Sequence, residues 1–157
     1  STQFGITATG TFLASAWESG ALRFRAKVGG ASLAAFTPGG LVRSMTRTDI
    51  DAQNGTLSAA GIKGGLIVHT STTGGGTLTF DTADNILALF PGIAVGDVIE
   101  CFLINDGDQT DTLAADAGPT ITLVDAGQTI ASNESAHLLL LVTAVADPAI
   151  TVYHVGA

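Results

Sequence analysis

The sequence predicts an all-β protein, a jelly-roll-like β-sandwich with one short helix, preceded by an extended N-terminal arm and strand. Eight short apolar segments follow one another from residue 65 at intervals near ten residues. Gly, Asp, Asn or Pro separates them, the pattern of a two-sheet sandwich or barrel. Twenty glycines in 157 residues, with many Ala and Thr, suit tight turns and short strands better than helices. One segment alone, residues 82–90, has its apolar residues at helical spacing. No internal repeat is evident, which argues against a propeller or solenoid.

Residues 1–20 are polar and rich in Gly, Thr and Ala, with Phe4, Ile6, Phe12 and Trp17 spaced through them. Apolar residues that sparse do not make a core and are expected to anchor an extended arm. In ALRFRAKV (21–28), Leu22, Phe24, Ala26 and Val28 alternate with Arg23, Arg25 and Lys27. A strand here has one apolar and one cationic face. Turn signals follow at Gly29-Gly30 and Thr37-Pro38-Gly39-Gly40, and DIDAQNG (49–55) reads as a polar link. Residues 1–56 are therefore expected to form an arm and basic strand region, and 57–157 the sandwich.

Sandwich strands are expected at 65–70, 77–80, 97–104, 111–115, 120–124, 128–131, 136–146 and 149–155. Two of them, DVIECFLI and AHLLLLVTAVA, are apolar at positions of both parities, so neither face is left for water. For the helix, Asp81 or Thr82 can cap the first amides, Ile86, Leu89 and Phe90 share a face, and Pro91-Gly92 ends it. Two turns are not stable alone, so this helix must pack on the sandwich.

The chain is 46% hydrophobic and 13% charged, about half the usual charged share. That deficit implies surface buried against other chains. Charge is also divided: Arg23, Arg25, Lys27, Arg43, Arg47 and Lys63 all precede residue 64, with three acids beside them, net +3. The remaining eleven acids follow with no Lys or Arg, net −11. So acidic a part cannot neutralise phosphates, and nucleic acid is not an expected partner. Nor is a membrane: the longest apolar run, 136–146, is about half of what spans a bilayer. STQFGITATG lacks the basic and apolar regions of a secretory signal, and synthesis in the cytoplasm is expected.

Among reactive groups, Asp106, Asp108 and Asp111 cluster beside a glycine, as a calcium loop or a solvated hairpin tip does. His69, His137 and His154 fall in separate strands, with metal binding at an oligomer axis set against core or interface packing. Glu100 is either a buried acid or an interface glutamate, and Cys101, the only cysteine, lacks a basic neighbour to activate it. Nucleophile-elbow, metalloprotease, P-loop and dinucleotide patterns are missing. An enzyme is not expected, nor a cofactor.

Gly64-Gly65-Leu66-Ile67, Thr82-Ala83, Phe90-Pro91-Gly92, Val95-Gly96-Asp97 and Asn105 follow one another in a recognisable order. With them, residues 57–157 resemble small structural proteins of tailed bacteriophages, the head decoration (cement) proteins. The resemblance implies a jelly-roll homotrimer on the outer capsid surface of the virion, with the major capsid protein as partner. Its motifs are structural punctuation and none is catalytic. On this reading, capsid contacts are expected from Phe4, Phe12, Trp17, Arg23, Arg25, Lys27, Arg43 and Arg47. Val98, Phe102, Leu138 and Leu140 are expected at the oligomer interface. The basic residues have an alternative role, pairing with the sandwich's own acids inside the oligomer. The whole chain has one as well, a tail or head-fibre tip that binds a host-surface receptor, although 6% aromatic content counts against a sugar site.

Overall fold

A computed structural model describes residues 5–8, 11–18, 21–26, 34–37, 40–70, 73–116, 118, 120–124 and 128–155, with side-chain surroundings from residue 44 onward. The chain divides into two compact units, Ser1–Met45 and Thr46–Ala157. Strands dominate both.

The first unit is a five-stranded sheet in sequence order: β1 (Gly5–Ala8), β2 (Thr11–Glu18), β3 (Ala21–Ala26), β4 (Ala34–Thr37) and β5 (Gly40–Arg43). Each neighbouring pair is antiparallel. The expected extended arm is thus a folded-back meander. Three paired ends, Ala8↔Thr11, Glu18↔Ala21 and Thr37↔Gly40, leave two residues between them, Thr9-Gly10, Ser19-Gly20 and Pro38-Gly39. A two-residue connection ending in glycine is a hairpin signal. Apolar residues that are sparse along the chain also become dense across it. Trp17 pairs with Leu22, Leu22 with Phe36, and Phe36 with Leu41, in one row over four strands.

The second unit begins with β6 (Thr46–Ile50), β7 (Gly55–Leu57), α1 (Ala59–Gly64), β8 (Gly65–His69), β9 (Thr77–Phe80) and α2 (Ala83–Ala88). It continues with β10 (Val98–Asn105), β11 (Asp111–Ala114), β12 (Ile121–Leu123), β13 (Thr129–Ile130), β14 (Ser135–Ala144) and β15 (Ala149–Val155). Successive strands from β6 to β14 alternate between a six-stranded sheet, β12-β15-β14-β10-β8-β6, and a four-stranded sheet, β13-β11-β9-β7. All eight expected sandwich strands are present. β6 and β7, where the sequence read a polar link, are additional.

Jelly-roll pairing is antiparallel, whereas these sheets are mixed. Among the described residues, β6, β8 and β10 run parallel, as do β7, β9 and β11, and β12 runs parallel to β15. The antiparallel pairs are β10·β14, β14·β15 and β11·β13. Inward residues of both sheets meet in one core, among them Ile67, Leu103, Leu138, Leu140 and Val152 from the larger sheet and Leu78, Phe80, Leu113 and Ile130 from the smaller.

Among the described residues there are two helices rather than the one expected. The additional one, α1, lies between Ser58 and Gly65: Ser58 Oγ accepts from Gly61 N at 3.1 Å, and Gly65 closes the helix at φ +89°. In α2 the cap is Thr82, whose hydroxyl accepts from Asn85 N at 3.3 Å. Asp81 takes a wider role. Its Oδ1 accepts from Thr82 N (2.9 Å) and Asn85 Nδ2 (2.7 Å), while Oδ2 accepts from Ala59 N (3.0 Å) at the start of α1. One carboxylate therefore joins the N-termini of both helices, where the partial positive charge of their free amides favours it. Burial acts to raise the Asp81 pKa, but the bonds from Asn85, Ala59 and Thr82 outweigh it and hold the carboxyl below its ordinary value.

Candidate interaction surface

Leucines 138–141 show how the sequence makes a two-faced strand. In β14, Ala136, Leu138, Leu140 and Val142 are buried, and His137, Leu139 and Leu141 on the opposite face are half-buried. β10 does the same: Ile99, Cys101 and Leu103 are buried, while Val98 and Glu100 are exposed and Phe102 and Ile104 half-buried. Because partners in register share a face, these residues form rows across the six-stranded sheet. One row runs Arg47, Leu66, Phe102, His137, Val155. The next runs Glu100, Leu139, Tyr153, and a third Val98, Leu141, Thr151. On the other side of the first row lie Asp49, Val68, Ile104 and Ser135.

This outer face is chiefly apolar. Val98 and Val155 are each 50% exposed and Tyr153 40%. Near its centre the Phe102 and His137 rings stack, with centroids 4.6 Å apart and planes at 12°. His137 Nε2 lies 3.9 Å from Glu100 Oε2, beyond hydrogen-bond distance, and has no hydrogen-bond partner among the described residues. At the sheet's edge Arg47 Nε donates to Asp49 Oδ1 at 2.6 Å. The side chains offer apolar contact area and hold few charges.

Val98 and Phe102 thus lie on the outer face, as an interface residue must. Leu138 and Leu140 do not: both are fully buried in the core of the second unit, and the outward positions of β14 belong to His137, Leu139 and Leu141. The sequence showed a strand apolar on both sides but not which parity faced inward. Glu100 sits on the outer face and Cys101 in the core. His154, on β15, is the register partner of Leu138.

Of the capsid-contact candidates, Phe4 and Lys27 lie outside the described residues. Phe12, Trp17, Arg23, Arg25 and Arg43 are placed on β2, β3 and β5. Arg23 and Arg25 are two apart on one strand, their register partners on β2 being Ala16 and Ala14. Arg47 is an exposed residue of the second unit with a carboxylate partner in Asp49.

A buried polar cluster went unread in the sequence. His69 ends β8 and Asp111 begins β11, so the two belong to different sheets. His69 Nδ1 is 2.6 Å from Asp111 Oδ2, and His69 Nε2 is 2.9 Å from the Ala52 carbonyl oxygen. Asp111 Oδ1 also accepts from Gly76 N at 3.2 Å. Next to it, Asn105 donates to the carbonyls of Gln109 (2.6 Å) and Ile130 (3.0 Å) and accepts from Gly107 N (3.0 Å). Asp106 and Asp108 are exposed, whereas Asp111 is buried and turned to His69, so the three carboxylates do not converge. The His69–Asp111 pair has the form of a catalytic dyad, yet its Nε2 is occupied by a backbone carbonyl and both side chains are nearly fully buried. It is placed to hold the sheets together.

Among the described residues no helix is long and apolar enough to cross a membrane. Neither the protein-family models nor the curated proteins compared with the chain give a match.

Proposed function

We propose that this chain is a virion structural protein that decorates and stabilises the outer surface of a bacteriophage capsid as a symmetric oligomer, without enzymatic activity. The observation that carries the reading is the outer face of the six-stranded sheet, a broad apolar surface on a subunit otherwise rich in acids. A surface of that kind lowers free energy by packing against protein, at about 25 cal/mol per Å² of apolar area removed from water. Support comes also from the resemblance of residues 57–157 to cement proteins. The strand-rich second unit is compatible with the mostly-β fold that resemblance implies, although its sheets are mixed where a jelly roll's are antiparallel.

Charge separates the two units. Ser1–Met45 has four basic residues and one acid, net +3, and Thr46–Ala157 two basic residues and thirteen acids, net −11. The first unit is suited to dock on acidic groups of the major capsid protein. Several weak docking contacts joined through one oligomer act together, because each later contact forms at high effective concentration.

Co-sedimentation of purified protein with capsids stripped of decoration tests this. Wild type should bind, and more weakly as salt rises. The triple variant Arg23→Glu, Arg25→Glu, Lys27→Glu should keep its oligomeric mass and bind much less. Failure of wild type to bind capsids, with binding to host-cell surfaces instead, would transfer the protein to a receptor-binding tip.

A further inference from the structure

We infer that the outer face of the six-stranded sheet is where a second copy of this chain packs, centred on the Phe102–His137 stack and flanked by Val98, Leu139 and Tyr153. The inference gives a location to the oligomer invoked above and rests on that part of the reading alone.

Charge selects the occupant. Of the thirteen acids in residues 46–157, the four rows of this face hold only Asp49 and Glu100, and Asp49 is bonded to Arg47. Elsewhere the unit repels a copy of itself. The face is the near-neutral surface through which two such subunits can approach, whereas a basic partner would gain more from the acidic remainder.

Size agrees. Eight residues of β10 at about 3.3 Å each span roughly 26 Å, and six strands about 4.8 Å apart span roughly 24 Å. The face therefore covers at most about 600 Å² on each copy, Val68 being already buried within the chain, and two copies bury at most about 1,200 Å², the lower end of stable interfaces. Strand addition at the sheet edges is the less suitable route. β12 has three residues, and β6 presents Arg47 and Asp49, the charged marking of an edge that resists pairing.

Tyr153 is the only tyrosine in the chain and lies on this face, so its nitration by tetranitromethane reports coverage directly. Wild type at micromolar concentration should sediment as an oligomer with Tyr153 protected, and dilution should release both the mass and the protection together. The variant Val98→Glu, Tyr153→Glu, at two positions exposed in the single subunit, should weaken self-association by about 30-fold or more at unchanged helix and strand content. Raising salt should leave wild-type assembly intact, unlike capsid binding. A monomeric wild type overturns the inference, as does an oligomer in which Tyr153 reacts at the same rate at every concentration. The nitration arm uses unaltered protein, so a variant that fails to fold leaves the question decidable. Neither arm involves a capsid, so the docking proposal can fail while this one stands.

Discussion

His69 Nδ1 and Asp111 Oδ2 lie 2.6 Å apart between the two sheets of the second unit, both buried. Each nitrogen of the imidazole faces an oxygen, the carboxylate on one side and the Ala52 carbonyl on the other. Removing one member leaves the other buried without its partner. Asp111→Ala should therefore lower stability by about 3–5 kcal/mol, the range for breaking a buried pair. Replacing both residues by apolar ones of similar volume should cost less than the single change. Urea denaturation of the three proteins measures the difference; equal losses in single and double variants would mean the pair is not coupled.

Gly76 should resist any side chain. A Cβ there would sit 2.1 Å from the Gln53 carbonyl oxygen and 2.9 Å from His69 Cε1. The backbone of residues 52–54 and the His69 ring must move to admit it, and Gly76→Ala should cost about 1–3 kcal/mol. Its NMR spectrum should show the displacement at His69.

Gly96 gives the contrasting case. It has φ +94° with nothing within 4 Å of a built Cβ, and it closes the turn in which Asp97 N bonds to Ala94 O at 3.1 Å. Gly96→Ala should lose about 1–2 kcal/mol from the backbone angle alone. Gly96→Asn should recover part of that loss, and thermal melts will rank the three.

Asp81 should make part of the stability pH-dependent. Its folded pKa lies below the ordinary 3.8, so the stabilisation is fully present above that value. It is lost as pH falls through the lower folded value. Asp81→Ala should cost about 1 kcal/mol at neutral pH, since an N-terminal amide of each helix loses its acceptor or the bracing of one. It should also flatten the stability profile below pH 4, measured by denaturation across the acid range. A profile matching wild type would remove Asp81 from the account.

Leu138 and Leu139 are neighbours with opposite duties. Leu138→Ala opens a cavity in the core and should cost about 2–5 kcal/mol. Leu139→Ala should change folding little and self-association more, and sedimentation set beside urea denaturation separates the two effects.

The eight strands from Gly65 to Val155 and the helix after Thr82 were legible because apolar runs, turn residues and a capping pattern are local. α1 was legible in principle too, with Ser58 before it and Gly65 after. β6 and β7 were not. Their residues are mostly polar and half of them are exposed, and only parallel partners, β8 and β9, make them strands. The meander of the first unit was hidden for a related reason, since density of apolar residues across strands does not exist until the chain turns back.

At the candidate surface, the apolar character of β10 and β14 on both faces and the crowding of acids in the second unit follow from residue order alone. That Leu138 and Leu140 face inward and Leu139 outward follows from the folded sheet. A strand's side chains alternate strictly, so the same run of leucines fits either parity, and pairing with β10 and β15 selects one. Pairing likewise brought His69 and Asp111 together across 42 positions of sequence. Buried hydrogen bonds between distant segments follow from the register of whole sheets, which no local pattern specifies.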